Sequence, residues 1–193
     1  MVGWFIKSTI RVLPLFCYNG LMNTILNLTD QDFNPDAPAG DRENYFKRGA
    51  ARAVLQNADG TIAIMHAATS EFYKLPGGGI DEDEEIIDAL HREILEEVGA
   101  KITVTGELGI VHEYRDFCQM EQLSYAYMAT VEGELGQPEL TEKEIADGFE
   151  VVWVEIDKGI ELIKTTLSHD DIGLKFMATR DIAILEAAKK LLA

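Results

Sequence analysis

The chain has 193 residues, of which 47% are apolar and 26% are charged, so it is long enough for one domain with its own core. It carries 34 acidic residues against 17 lysines and arginines, a formal net charge of −17. Such a surface repels nucleic-acid polymers and anionic membranes, which excludes tight non-specific binding to either. It also repels phosphorylated small molecules unless a cation lies between them.

The two cysteines, Cys17 and Cys118, are far apart in the chain and form no CxxC pattern. This spacing excludes a disulfide framework and a cysteine-based zinc site. It fits a reducing compartment, and we therefore expect a cytoplasmic protein.

Residues 1–21 are apolar, with Lys7 and Arg11 as their only charged residues. Pro14 and Cys17 interrupt the apolar run, which argues against a signal peptide and against a transmembrane helix of about 20 apolar residues. Two interpretations stay open for this segment. It is either an extension ahead of a start at Met22, or an arm that packs on a partner subunit.

The first half of the chain predicts short strands followed by one helix. In chain order the pattern predicts a polar linker over 34–44, a hairpin of strands 47–56 and 61–67, a short strand over 71–75, and a helix from near Glu84 to Gly99. Asp59 and Gly60 supply the turn of the hairpin. Gly99 is a typical residue for the end of a helix.

The second half predicts longer strands and two more helices. Strands are expected over 101–114 and 122–134, an acidic loop over 136–148, a buried strand over 149–156, and helices over 158–167 and 179–193. In the second strand an apolar set shares one face because it occupies alternate positions: Leu123, Tyr125, Tyr127, Ala129 and Val131. The natural architecture is one mixed sheet with helices against its faces.

The helix near Glu84 carries three acids on one side. At 100° per residue, its core-facing stripe contains Ile86, Leu90, Ile94 and Val98. Glu93 and Glu96 lie beside this stripe, and Glu97 falls within it. A solvated acidic face explains Glu96 but not Glu97, because a partly buried carboxylate is costly unless something neutralises it. Three carboxylates at this spacing suit a hard divalent cation such as Mg²⁺ or Mn²⁺.

Three glycines, Gly77 to Gly79, come shortly before this helix. A tight turn between a strand and a helix needs about one glycine rather than three. Glycines also free the backbone to approach a ligand closely, so the segment favours a ligand-binding loop.

The spacing of these residues resembles a known signature. The fixed positions are Gly78, Glu84, Arg92, Glu93, Ile94, Glu96, Glu97 and Gly99, followed by Ala100 where a bulky aliphatic residue is usual. This 23-residue pattern resembles the Nudix box of the Nudix hydrolase family. The resemblance implies an α/β/α sandwich with a mixed sheet. It places the Nudix domain over 46–193, after an N-terminal arm and linker over 1–45, although the strand pattern itself supports only about 46–155.

The resemblance also implies an activity and its residues. Family members hydrolyse the pyrophosphate of a nucleoside diphosphate linked to another group X, giving a nucleoside monophosphate and P-X. Glu93, Glu96, Glu97 and the Gly77 carbonyl would hold Mg²⁺ or Mn²⁺. Arg92 would pair with Glu84, or with Glu96 one helical turn away, or with both. Gly78 and Gly99 would be structural residues of the box.

The box pattern does not by itself assign the general base or the residues that contact the substrate. Glu97 could act as the base, as could Glu142 or Glu144 in the acidic loop. Arg52 and Arg115 could bind phosphate, and four tyrosines could stack on a nucleobase or simply pack in the core: Tyr73, Tyr114, Tyr125 and Tyr127. A structural role is the expectation for the histidines in strands, His66 and His112, and a surface or capping role for His169.

Several functional alternatives stay open from the sequence. The substrate could be a nucleoside triphosphate, an oxidised one, or a nucleotide sugar resembling ADP-ribose. The alternative to catalysis is a Nudix fold kept as a nucleotide sensor, although degenerate boxes mark such proteins and this box keeps every carboxylate. Homodimers are common in the family, and the sequence does not decide the oligomeric state.

Overall fold

A computed structural model describes residues 22–192, so the interpretations of residues 1–21 lie outside the described residues. Its strands are β1 (Thr24–Thr29), β2 (Phe46–Gln56), β3 (Ile62–Ala67), β4 (Phe72–Lys74), β5 (Lys101–Arg115), β6 (Met120–Glu132) and β7 (Phe149–Val154). Its helices are α1 (Ile86–Val98), α2 (Glu142–Ala146), α3 (Ile156–Thr166) and α4 (Ile172–Leu192). Within this part of the chain, no helix combines the length and apolarity needed to cross a bilayer.

The strands form a mixed sheet in the order β1-β5-β6-β2-β3-β4, and β7 pairs with β3. β1 runs parallel to β5, and β2 runs parallel to β6 along its whole length, whereas β5 and β6 are antiparallel. β3 pairs antiparallel with β4 and with β7. A single residue pair, Gln56 with Ile62, joins β2 to β3, so the predicted hairpin is present but its strands separate beyond the turn.

Helices cover both faces of the sheet, which confirms the expected α/β/α sandwich. On one face, α1 packs its buried residues Leu90, Ile94 and Val98 against the inward face of β2 and β6. On the other face, α3 and α4 pack against residues that include Val54 and Val111. The sheet is therefore the central layer, with one hydrophobic core on each side.

The sequence periodicities describe these cores correctly. The alternating set of β6 lies on the α1 side, where Tyr125, Tyr127 and Ala129 are buried. The predicted apolar stripe of α1 is also present, and Glu97 is buried within it at 3% exposure. The helix begins at Ile86 and ends before Gly99, whose left-handed conformation (φ 71°) closes it.

Three elements differ from the sequence prediction. Residues 24–29, which the sequence placed in an arm and linker, form strand β1 at the edge of the sheet beside β5. The predicted acidic loop contains the short helix α2, because Thr141 and Glu144 form a capping box. Helix α4 begins at Ile172, seven residues before the predicted start, and it packs on α3 and the sheet.

The predicted buried strand over 149–156 is β7, and it is only half-buried. The physical reason is that β7 pairs with β3 alone and lies at an edge. Its apolar residues pack against both cores, with Val152 on one side and Val151 on the other, but they stay partly exposed because the strand has a neighbour along one edge only.

We predict that Gly99→Ala destabilises the protein more than Gly60→Ala does. Both glycines have positive φ, at 71° and 89°, so an alanine at either position costs about 1–2 kcal/mol in backbone strain. A Cβ at Gly99 would also lie 2.6 Å from the Gly136 carbonyl oxygen, whereas nothing lies within 4 Å of one at Gly60. This overpacking should lower the free energy of unfolding of Gly99→Ala by about a further 1–3 kcal/mol. Urea unfolding of both variants measures the difference, and equal losses would contradict the close packing at Gly136.

Candidate active site

A pocket of about 410 Å³ opens beside α1, at the turn that contains the three glycines. Its walls come from β2, the end of β4, the glycine turn, α1, and the segment that leads into α2. The lining residues are Arg48, Arg52, Lys74, Gly77, Gly78, Gly79, Arg92, Glu93, Glu96, Glu97, Glu139, Thr141 and Glu144. Four cationic side chains therefore face five carboxylates in one cavity.

The glycine turn is held against β2 by backbone hydrogen bonds. The Ala51 amide donates to the Gly78 carbonyl (3.0 Å), and the Ala53 amide donates to the Pro76 carbonyl (3.1 Å). Gly77 between them has φ 120°, and a Cβ there would collide with the Ala51 carbonyl oxygen. A side chain at Gly78 would collide with the carboxylate of Glu93. Glycine is therefore required at Gly77 by backbone conformation and close approach, whereas a side chain at Gly78 would displace the Glu93 carboxylate.

Glu97 joins the turn to the helix. One of its carboxylate oxygens accepts a hydrogen bond from the Lys74 ammonium (2.5 Å), and the other accepts one from the Gly77 amide (2.6 Å). Its side chain is 4% exposed and that of Lys74 is 14% exposed. The ion pair and the amide compensate the charge that burial would otherwise make costly.

Arg92 binds the other side of the turn. Its guanidinium donates two hydrogen bonds to Glu84, each 2.8 Å, and a third to the Gly79 carbonyl (2.9 Å). It also donates to Glu93 (2.8 Å) and, more weakly, to Glu96 (3.3 Å), so both pairings considered from the sequence are present. The hydrogen bonds with Glu84 raise the pKa of Arg92 and lower the pKa of Glu84.

Glu93 and Glu96 differ in their environments. Burial raises the pKa of Glu93, with Arg92 opposing the shift and the nearby Glu97 carboxylate adding to it. Glu96 is more open, with a side chain that is 45% exposed. A carboxylate whose pKa is raised by burial and by a second carboxylate is one that a cation would stabilise.

The segment before α2 places further acids at the rim. The Glu139 amide donates to the Glu96 carbonyl (2.7 Å), which ties this segment to the end of α1. Glu144 lines the pocket while its carboxylate caps α2 through Thr141. Glu142, which the sequence offered as an alternative base, is exposed and is absent from the pocket lining that the described residues form.

The three candidate substrate residues have different positions. Arg52 is 5% exposed and lines the pocket. Arg115 is not among the lining residues, and it pairs with buried Glu113 (2.9 Å). Tyr73 stacks on His66 at a ring distance of 4.4 Å and packs toward α3, on the opposite side of β4 from Lys74, so the fold does not bring it into the pocket.

The remaining tyrosines also lie outside the pocket lining. Tyr125 and Tyr127 pack in the core beneath α1, so stacking on a nucleobase would require them to leave the core. The Arg42 guanidinium covers Tyr114 at 4.2 Å.

The histidines make local contacts. His66 pairs with Glu150 (2.9 Å), and His112 pairs with Glu121 (2.8 Å). His169 contacts the backbone carbonyl of Glu71 (3.0 Å). These contacts agree with the structural roles expected for the three side chains.

The chemistry of the donor set fits a divalent metal ion. Glu93, Glu96 and Glu97 are hard oxygen donors on one wall, and the glycine turn lies against Glu93 so closely that a Cβ would fill the space. Across residues 22–192, no three acidic, histidine or cysteine side chains converge on a common point. The carboxylates are held instead by Lys74 and Arg92, so metal binding requires these cations to release them.

Sequence reasoning missed three charged lining residues: Arg48, Lys74 and Glu139. Arg48 shares a face of β2 with Arg52, so period-two alternation offered a signal. Lys74 is two residues before Pro76 and directly precedes the turn, which also placed it within reach. Glu139 had no such signal, because its position follows from the packing of its segment on α1.

A family model described as the NUDIX domain matches residues 46–174, which is more than half of the chain. The chain therefore belongs to the Nudix family. A Nudix hydrolase from Nitrosomonas europaea has the same fold, with a TM-score of 0.54 at 20% identity over 75% of this chain and 91% of that one.

Two curated proteins are similar in sequence. The human diphosphoinositol polyphosphate phosphohydrolase NUDT4B is 27% identical over 125 residues, which is 64% of this chain and 66% of the human protein, just under two thirds of its length. An RNA pyrophosphohydrolase from Mesorhizobium japonicum is 30% identical over 76 residues, covering 35% of this chain and 44% of that protein.

We predict that Arg92→Met lowers the free energy of unfolding by about 2–3 kcal/mol, because Glu84 and the Gly79 carbonyl both lose a charged donor. The matched control is Lys158→Met, which removes an exposed pair with Glu161 and should change stability by less than about 0.5 kcal/mol. Urea unfolding measures both variants. Equal effects would show that Arg92 does not fix the turn to the helix.

Proposed function

We propose that the protein hydrolyses, with Mg²⁺ or Mn²⁺, the pyrophosphate bond of a nucleoside diphosphate linked to a group X. The observation that supports this proposal most strongly is the shared pocket of Glu93, Glu96 and Glu97 beside the glycine turn. The products would be a nucleoside monophosphate and P-X. The proposed metal ligands are these three carboxylates and the Gly77 carbonyl.

When bound, a divalent ion would neutralise phosphate charge and make a bound water more acidic. The chain's own groups have separate tasks. Glu97, held by the Gly77 amide, orients its carboxylate toward the turn. Arg92 holds Glu84 and Gly79 so that the turn keeps its position against α1. The position of the turn is thus preorganised, whereas Lys74 and Arg92 would have to release the metal-binding carboxylates.

The cationic wall explains how a phosphorylated substrate can approach so acidic a protein. Arg48, Arg52 and Lys74 line the pocket opposite the carboxylates. Once Lys74 no longer pairs with Glu97, its ammonium is free to donate to a phosphate oxygen. The substrate would thus lie between the α1 carboxylates and these cations.

A general base must remove the proton of the attacking water. Glu144 and Glu139 are the candidates at the rim, since both line the pocket and come from a segment outside the box. Glu144 already accepts two hydrogen bonds from Thr141, whereas Glu139 is tied to α1 only through its backbone amide. We therefore favour Glu139 and keep Glu144 and Glu97 as alternatives.

The similar proteins leave X open, because one is named for diphosphoinositol polyphosphates and the other for RNA. A nucleotide sensor without hydrolysis is the second candidate function. It would use the same pocket, and the intact set of box carboxylates favours the hydrolase.

We predict that Glu97→Gln lowers kcat by about 10³-fold, because the amide cannot replace the carboxylate in stabilising the charge of the transition state through a metal. The matched control is Asp88→Asn on the same helix, whose side chain is exposed and outside the pocket. Steady-state kinetics with Mg²⁺ and Mn²⁺ titrations followed by electron paramagnetic resonance measure activity and metal binding. Wild-type turnover and metal binding in Glu97→Gln would contradict the ligand role.

We also predict that excess EDTA abolishes hydrolysis and that Mg²⁺ or Mn²⁺ restores it. The reason is that hydrolysis requires a metal ion to make the attacking water more acidic and to neutralise the charge that develops on the pyrophosphate. The measurement is phosphate-product release from nucleoside triphosphates, oxidised triphosphates, nucleotide sugars and dinucleoside polyphosphates. Binding without turnover across this series would support the sensor instead.

A further inference from the structure

A second cluster of charged side chains lies behind the pocket, between the sheet and α4. Its arginines are Arg48 and Arg52 from β2, Arg115 from β5 and Arg180 from α4, and we call it the arginine cluster. Two carboxylates belong to it: Glu113 and Asp181, both with no exposed surface. The arginine cluster adjoins the pocket, because two of its members, Arg48 and Arg52, also line the pocket.

The two acids are already used by two of the arginines. Arg115 pairs with Glu113 at 2.9 Å. Arg180 pairs with Asp181 at 2.7 Å and lies 3.9 Å from Glu113. Asp181 also accepts a hydrogen bond from the Leu75 amide (2.8 Å). The carboxylates of Glu113 and Asp181 therefore have few free acceptor positions left for the guanidinium groups of Arg48 and Arg52.

Arg48 and Arg52 have only neutral hydrogen-bond partners among the described residues. Arg48 donates to the Gln122 side-chain oxygen (2.6 Å), and Arg52 donates to the backbone carbonyl of Ala51 (3.2 Å). The other arginines of the described chain all pair with acids, including Arg42 with Asp116. The arginine cluster therefore holds four cations and two anions. The pocket carboxylates that act on Arg48 and Arg52 from nearby, Glu93 and Glu97, form their ion pairs with Arg92 and Lys74 instead.

Unused donors accompany this excess of positive charge. Arg52 Nε, Arg115 Nε and Arg180 Nη2 are buried and have no hydrogen-bond partner within residues 22–192. Arg52 is 5% exposed and Arg180 is 2% exposed. Burial lowers the pKa of Arg52 to about 10, with Arg180 contributing to the shift. An unpaired buried cation is costly, which is the expected property of an anion site rather than of a structural core.

We propose that Arg48 and Arg52, backed by Arg180, bind a phosphate group of the substrate in addition to the pyrophosphate that is cleaved. This inference rests on the proposed function, and it narrows the substrate class. The substrate would carry at least three phosphates, either in one chain or with the further phosphate on X. A nucleotide sugar that has only its pyrophosphate would leave the arginine cluster unpaired.

A binding experiment tests the site without catalysis. Isothermal titration with inorganic tripolyphosphate in EDTA should show binding to the wild-type protein and an affinity about 10- to 100-fold lower for Arg52→Met. The matched control is Lys47→Met, next to Arg48 in β2, whose side chain is 51% exposed on the opposite face and which should bind as the wild type does. No binding to the wild type, or equal binding to Arg52→Met, would overturn the proposal.

A stability measurement separates loss of the site from loss of the fold. Since Arg52 is buried without a carboxylate partner, Arg52→Met should melt at the same temperature as the wild type or higher. Arg52→Lys keeps the charge and should recover part of the binding. A lower melting temperature for Arg52→Met, with no recovery in Arg52→Lys, would show a structural role and overturn the proposal.

A kinetic comparison identifies the substrate class. With Mg²⁺, the ratio of kcat/KM for a nucleoside triphosphate to that for a nucleoside diphosphate sugar should fall about 10-fold or more in Arg52→Met. Equal losses on both substrates would overturn the further phosphate site while leaving the proposed hydrolysis intact. If no substrate were hydrolysed, the proposed function would fail, and tripolyphosphate binding would still decide whether the arginine cluster is an anion site.

Discussion

The buried carboxylate of Glu97 is the constraint around which the active site is arranged. A carboxylate that is almost fully removed from water needs compensating charge and hydrogen bonds, and it receives them from Lys74 and the Gly77 amide. These two partners come from the end of β4 and from the glycine turn. Satisfying one side chain of α1 therefore fixes three segments relative to one another, and the unusual backbone angle of Gly77 is what aims its amide at the helix.

The same need for compensation organises the rest of the pocket. Arg92 neutralises Glu84 and Glu93 while it holds the turn through the Gly79 carbonyl. Cationic and anionic side chains thus lie together in a cavity in which Arg52 and Glu97 are buried and most of the other charged residues are partly buried. This local pattern matters more for phosphate binding than the net charge of the chain, because surface charges beyond about 10 Å are screened by salt whereas partly buried charges are not.

The active site extends beyond the Nudix box through α4. Asp181 in this helix accepts a hydrogen bond from the Leu75 amide, immediately before Pro76 and the glycines. Arg180 beside it completes the arginine cluster. Helix α4 therefore both supports the turn and supplies buried charge behind the pocket. A family whose members share a box can differ in substrate through such elements, because they contact the pocket from outside the shared motif.

The sequence by itself determined the parts that depend on local spacing. The period of α1 predicted its core stripe and the burial of Glu97, the alternation in β6 predicted its α1 face, and the box spacing predicted the pairing of Arg92 with Glu84. Only the tertiary structure decided which side chains from distant segments meet. Glu139 joins the pocket through its packing on α1, Tyr73 points away from it, and Arg180 lies over β5 and β2. Periodicity fixes a residue's face within its own element, whereas the packing of several elements fixes its neighbours.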